Sequence, residues 1–169
     1  MVQLRSIAAI AVAAVLVLGV GACARNNADQ MAGAGGGAGG YGAAAGPGSV
    51  QEFNQTVGDR VFFTTDQTDL SPTAQATLDK QANWLNQYNR YTFTIEGHAD
   101  ERGTREYNFA LGAKRAQNVR DYLVAKGVSA SRMHTISYGK ERPVAVCDNI
   151  SCWSQNRRAV TVLNGAPQS

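Results

Sequence analysis

The sequence predicts a two-layer α/β (α+β) sandwich in the order β-α-β-α-β-β, with a mixed sheet of about four strands. Three observations carry that expectation. Tyr91, Phe93 and Ile95 alternate with Thr92, Thr94 and Glu96, the period of a half-buried strand. Ala74, Leu78, Ala82 and Leu85 recur at helical spacing, and so do Ala116, Val119 and Leu123. A chain of 169 residues has room for one domain with tails, which argues against a multidomain enzyme.

The front of the chain is biased. Nine of the eighteen glycines lie between Gly33 and Gly48. Before them, Arg5 precedes an uncharged, mostly aliphatic run from Ile7 to Ala24, the layout of a secretory signal peptide over residues 1–22. Its end, Val20-Gly21-Ala22-Cys23, looks like a bacterial lipobox, in which a diacylglycerol joins the Cys23 thiol. Acyl chains add about 0.8 kcal/mol per buried methylene, so several on one residue anchor a protein stably. A retained membrane helix is the alternative, but a span needs about 20 apolar residues and this run falls short. Residues 23–49 are expected to form the lipidated N-terminus and a flexible Gly/Ala-rich tether, too poor in apolar surface to offset its ordering entropy.

From residue 50 to 166 the pattern is globular. Val61-Phe62-Phe63 reads as a short strand. Ser71-Pro72 is an N-cap followed by proline at the first helical position, and that helix runs to about Tyr88. The strand around Tyr91–Ile95 leads through a polar loop, Gly97 to Arg105, into a second helix that Gly127 ends. Ile136 and Tyr138 mark a third strand and Ala159 to Leu163 a last one. Between these two strands lie Gly139, Pro143 and the pair Cys147 and Cys152. With Cys23 lipidated, an even remainder in an exported domain is more simply a disulfide than two free thiols. Zinc is the other reading, but His98 and His134 stand at no recognisable ligand spacing from the pair.

Charge excludes little: sixteen basic against thirteen acidic side chains form no basic stripe for nucleic acid. Motifs say more. Gly97-His98-Ala99-Asp100-Glu101-Arg102-Gly103-Thr104 follows a strand. Glu106-Tyr107-Asn108, Leu111 and Arg115-Ala116 come next, then Ser137-Tyr138-Gly139 and Asn156-Arg157-Arg158. In this order, behind a lipobox, they resemble the OmpA-like domain family, and within it the alphaproteobacterial peptidoglycan-associated lipoproteins of the Tol–Pal system.

That resemblance implies an outer-membrane lipoprotein, facing the periplasm, that binds peptidoglycan non-covalently through the diaminopimelate of the stem peptide. It also implies the propeller protein TolB and other Tol–Pal components as partners, and a role in outer-membrane constriction at division. The family's binding residues fall on Asp66, Asp100, Asn108, Leu111, Arg115 and Arg158. The chemistry of the residues agrees. Diaminopimelate presents an ammonium and a carboxylate on one carbon, so Asp100 would accept from the first and Arg115 grip the second. Asp100 alternatively caps its loop or pairs with Arg102, Arg105 or Arg115 in a structural network. Arg157 and Arg158 also read as strand-edge cations, Tyr107, Phe109 and Trp84 as core or half-buried aromatics, and Asn156 as a loop stabiliser.

No catalytic residue, metal or cofactor is expected. His98-x-Asp100 lacks a third zinc ligand nearby, and no Gly-x-Ser-x-Gly elbow occurs. The competing function is a periplasmic protein-interaction module that binds TolB and has little affinity for the wall.

Overall fold

The computed structural model describes residues 46–165. The expectations for residues 1–45, Cys23 among them, lie outside the described residues. Four strands, β1 (Arg60–Phe62), β2 (Phe93–His98), β3 (Met133–Gly139) and β4 (Arg158–Leu163), form one sheet in the order β1-β4-β2-β3. β4 runs antiparallel to both neighbours and β2 parallel to β3, so the sheet is mixed as expected. The helices are α1 (Val50–Glu52), α2 (Pro72–Gln87), α3 (Arg105–Ala125) and α4 (Ile150–Asn156).

Local chemistry sets most boundaries. Ser71 caps α2 by accepting from Ala74 N, with Pro72 in the first turn, and Thr104 caps α3 by accepting from Tyr107 N. Gly127 follows α3 at φ +88°, a left-handed conformation that an L side chain would resist. Val61, Phe63, Phe93, Ile95, Met133 and Ala159 join Leu78, Ala82 and Leu85 of α2 and Ala116, Val119 and Leu123 of α3 in one buried core. Each fully buried large apolar side chain contributes about 1.5–3 kcal/mol. Alternation sends Phe62, Ile136 and Val162 away from that core, and all three are exposed.

Two elements were not expected from the sequence. α1 continues into a single wide helical turn, Phe53–Gly58, which buries Phe53 against Trp84. α4 breaks the connection between β3 and β4, which the sequence read as loop. At seven residues it is too short to show periodicity, and Asn149 caps it by accepting from Ser151 N. The tether expectation also ran too far. Residues 46–49 dock on the domain, where Gly48 O accepts from Tyr91 Oη (2.7 Å) and Arg90 Nη2 (2.6 Å), and Gly48 N donates to Glu52 (2.7 Å).

One contact positions α3 over the sheet. Gly97 of β2 and Gly112 of α3 meet backbone to backbone: a Cβ on Gly112 would stand 2.8 Å from Gly97 O. Nearby, Ser137 Oγ donates to Phe109 O at 2.7 Å. This close crossing brings the side of α3 that carries Asn108, Leu111 and Arg115 to the C-terminal end of β2.

Candidate functional site

β2 delivers Asp100 to the end of the sheet. Ala99 N donates to Gly139 O at 2.8 Å, continuing the pairing with β3, and the chain then turns. Asp100 is almost fully buried, yet its carboxylate is completely engaged. Oδ1 accepts from Arg102 N and Nε (3.2 Å each), and Oδ2 accepts from Arg102 Nη2 (2.7 Å) and Arg157 Nη1 (3.1 Å). Burial alone would raise its pKa, but the hydrogen bonds from Arg102 and Arg157 outweigh it and hold the carboxyl below its ordinary value.

Arg115 sits behind this pair with 0% exposure. It does not bond Asp100. Its three nitrogens donate to Gln67 O (Nε, 3.0 Å), His98 O (Nη1, 2.8 Å) and Thr64 O (Nη2, 3.2 Å), and its guanidinium lies 5.0 Å over the Phe63 ring. Burial first, then the charge of Arg157, lower its pKa to about 10. Nε and Nη2 thereby hold the β1–α2 loop, and Nη1 holds the end of β2.

That loop carries Asp66, the non-glycine residue with positive φ (55°) among the described residues. Asp tolerates this conformation better than most side chains. Asp66 Oδ1 accepts from Tyr107 Oη at 3.3 Å, and Arg102 Nη2 reaches Thr65 Oγ1 at 3.4 Å. Asn108 is buried and donates to Arg102 O at 2.6 Å, holding the loop that bears Asp100, while Leu111 is buried one turn further along α3. The structure thus gathers Asp66, Asp100, Asn108, Leu111 and Arg115 at one end of the domain. Three guanidiniums, Arg102, Arg115 and Arg157, stand there among the carboxylates of Asp66, Asp100 and Glu101.

Arg158 is placed elsewhere. Its Nη1 donates to Asn156 O (3.4 Å) and its Nη2 to Arg142 O (3.1 Å), beside the buried His98. β4 is an interior strand, so neither arginine lies at a sheet edge. Neighbouring residues along a strand point to opposite faces, which is why Arg157 and not Arg158 meets Asp100. Of the aromatics, Trp84 is buried, but Tyr107 and Phe109 are exposed because they lie on the outward side of α3. Asn156 satisfies loop backbone as expected, accepting from Val144 N and Ala145 N and donating to Ala145 O.

The two cysteines are joined, Cys147 to Cys152, and the bridge ties the connecting loop to α4. This is not remote from the cluster. Trp153, next to Cys152, donates its indole N–H to Glu101, and its ring lies 4.3 Å beneath the Arg102 guanidinium.

Compared with known proteins, residues 62–157 match the model of the OmpA family. The chain belongs to the OmpA family. It is 62% identical over 157 residues to a Rhizobium meliloti protein named peptidoglycan-associated lipoprotein, covering 92% of this chain and 87% of that one. A relative of the same name from Brucella abortus is 58% identical, covering 93% and 92%. Among solved structures, the peptidoglycan-associated lipoprotein of Burkholderia pseudomallei matches with a TM-score of 0.63 at 39% identity, covering 66% of this chain and 96% of that chain. The C-terminal domain of Helicobacter pylori MotB has a TM-score of 0.60 at 20% identity, covering 64% and 86%, a likeness of fold. None of these names is that of an enzyme.

In this OmpA-family domain the sequence reading missed Arg157 and Trp153 as partners in the site, while the pairing of Asp100 with Arg102, named there as an alternative, is present. Arg157 had a signal, since it shares the parity of the core residue Ala159 and so faces the helices. Trp153 had none, because its partners Glu101 and Arg102 come from a distant segment. Among the described residues, no helix is long and apolar enough to cross a membrane, and no three His, Cys, Asp or Glu gather to hold a metal.

Proposed function

We propose that this chain is a non-enzymatic outer-membrane lipoprotein that binds peptidoglycan non-covalently, through the zwitterionic end of the stem-peptide diaminopimelate. The observation that carries this reading is the Asp100 carboxylate held between guanidiniums at the open end of the domain, with Arg102 partly exposed beside it. Such a cluster offers one anion and one cation within a few ångströms, which is what an ammonium and a carboxylate on one carbon require. Charge-assisted contacts of this kind contribute about 1.5–3 kcal/mol each, so one stem is held modestly. Many anchored copies meeting a repeating polymer are retained through effective concentration.

In this reading acylated Cys23 anchors the chain, the Gly/Ala-rich segment spans outward, and the domain faces the periplasm and grips the wall. Within the Tol–Pal system it links outer membrane to wall and supports constriction at division. A protein partner such as TolB suits the same end of the molecule, where Val144, Val146 and Ile150 are exposed beside the disulfide. Co-sedimentation of the full chain in detergent with purified sacculi tests the wall reading. Wild type should pellet and Asp100→Ala should stay in solution; equal pelleting of both, or of neither, would refute it.

A further inference from the structure

We propose that the free edge of β3, with the flank of α3 beside it, takes an extended acidic segment of a partner protein as a fifth strand of the sheet. This surface is separate from the Asp100 cluster and does not depend on the wall-binding reading.

The edge is open and carries none of the usual defences. Among the described residues β3 pairs with β2 alone, so alternate N–H and C=O groups on its outer side have no strand to bond. The opposite edge, β1, is three residues long and offers little to pair with. β3 runs for seven, Met133–Gly139, with no Lys, Arg, Asp, Glu or Pro, and its register with β2 shifts only at the last pair. Such a strand is a template for another chain.

A groove follows that edge. One cavity of about 310 Å³ lies between Ala113, Lys114 and Gln117 of α3 and Thr135 to Ser137 of β3. A second, of about 280 Å³, continues past Ser137 along Tyr138 and Gly139, with Phe109 and Arg105 on the helix side. Ser137 lines both, and its bond to Phe109 O fixes the helix at this distance from the strand. A strand added to β3 therefore lies with one face against α3. Its other face extends the outer surface of the sheet beside Ile136, which is 41% exposed.

Charge selects the occupant. The cavities are lined by three cations, Arg105, Lys114 and Lys140, and one carboxylate, Glu141. Glu141 pairs with Arg105 at 3.2 Å, while Lys140 donates only to the carbonyls of Glu101 and Gly103. Lys114 has no ion-pair partner among the described residues. The groove thus complements a segment with carboxylates towards α3 and apolar, β-branched side chains on the other face, alternating as a strand requires. A second copy of this chain fits less well, because two-fold pairing of β3 with itself sets one cation-lined flank against another.

The test is fluorescence anisotropy of the full chain in detergent with a labelled octapeptide in which glutamate alternates with valine. Wild type should bind it, and a twin with lysine for glutamate should bind about tenfold more weakly or worse. Lys114→Glu should weaken the glutamate peptide by about tenfold, an attraction turned into a repulsion, with sacculus binding unchanged. Two further peptides, N-methylated on the glutamates or on the valines, read the pairing itself. A strand added at an edge uses one side of its backbone, so one of these should keep binding and the other lose it. Equal behaviour of the two, equal binding of the lysine twin, or no binding of the glutamate peptide would each overturn the proposal. Dimerisation in analytical ultracentrifugation that Ile136→Lys abolishes would give the edge to a second copy and overturn it as well.

Discussion

Replacing Gly97 with alanine probes the contact on which the site is built. The new Cβ would lie inside the van der Waals shell of Gly112 O, 2.6 Å from the carbonyl carbon of Gly112 and 3.2 Å from Ala116 Cβ. Ordinary carbon–carbon contact is about 3.5–4.0 Å, so α3 must retreat from β2 by roughly 1 Å. The opposing atoms are backbone, and no rotamer change relieves them. Overpacking of this kind costs about 3 kcal/mol, the upper end of the usual range. For a domain of this size that corresponds to a fall in Tm of about 10 °C. The same retreat stretches the 2.8 Å bond from Arg115 Nη1 to His98 O past hydrogen-bonding range, so wall binding should fall with stability. Gly165→Ala is the control, since a Cβ there meets nothing within 4 Å. Thermal unfolding followed by far-UV circular dichroism reads both. A Gly97→Ala protein melting within about 2 °C of wild type would refute the claim that this crossing positions α3.

Other consequences are equally concrete. Arg115→Ala removes a fully buried side chain and the donor to three carbonyls, of which His98 O is buried, and should cost about 3 kcal/mol in urea unfolding, so its loss of wall binding should come with a loss of stability. Unchanged stability would mean that the β1–α2 loop holds without it. His98 is 2% exposed with neither ring nitrogen hydrogen-bonded, and burial first, then Arg158 and Arg142, lower its pKa to about 4. Because its folded value lies below the ordinary 6.5, its contribution is complete above pH 6.5 and is lost as pH falls towards 4, by about 3 kcal/mol. Urea midpoints taken from pH 7 to 4.5 should decline in wild type and less steeply in His98→Leu; parallel slopes would show that other groups carry the acid sensitivity. Cys147→Ser opens a loop closed across a sequence separation of 5, worth about 2 kcal/mol, and should weaken sacculus binding a few-fold by loosening the helix that carries Trp153. Wild-type binding by that variant would mean that α4 holds the indole unaided.

Much of this protein was legible in its sequence. Period-two alternation along Tyr91–Ile95, helical spacing in α2 and α3, the Ser71-Pro72 start and the Gly127 stop each report a local preference, and local preferences survive into the fold. The Gly97–Thr104 string likewise marked where Asp100 leaves the sheet. The short elements escaped notice, since α4 and the Phe53–Gly58 turn span too few residues for a period to emerge.

What only the tertiary structure decided is who partners whom. The family resemblance put Asp100 and Arg115 in one site, but it did not show the burial of Arg115 against the carbonyls of Thr64, Gln67 and His98. The arginine that completes Asp100 lies 57 residues away, and it arrives because β4 inserts between β1 and β2 and brings Arg157, the residue just before it, to the helix side. Trp153 reaches Arg102 because the disulfide loop and α4 fold back over that same end. A sequence pattern records which face a residue prefers. Pairing across dozens of residues depends on strand order and on where one glycine lets a helix approach a sheet, and neither has a local signature.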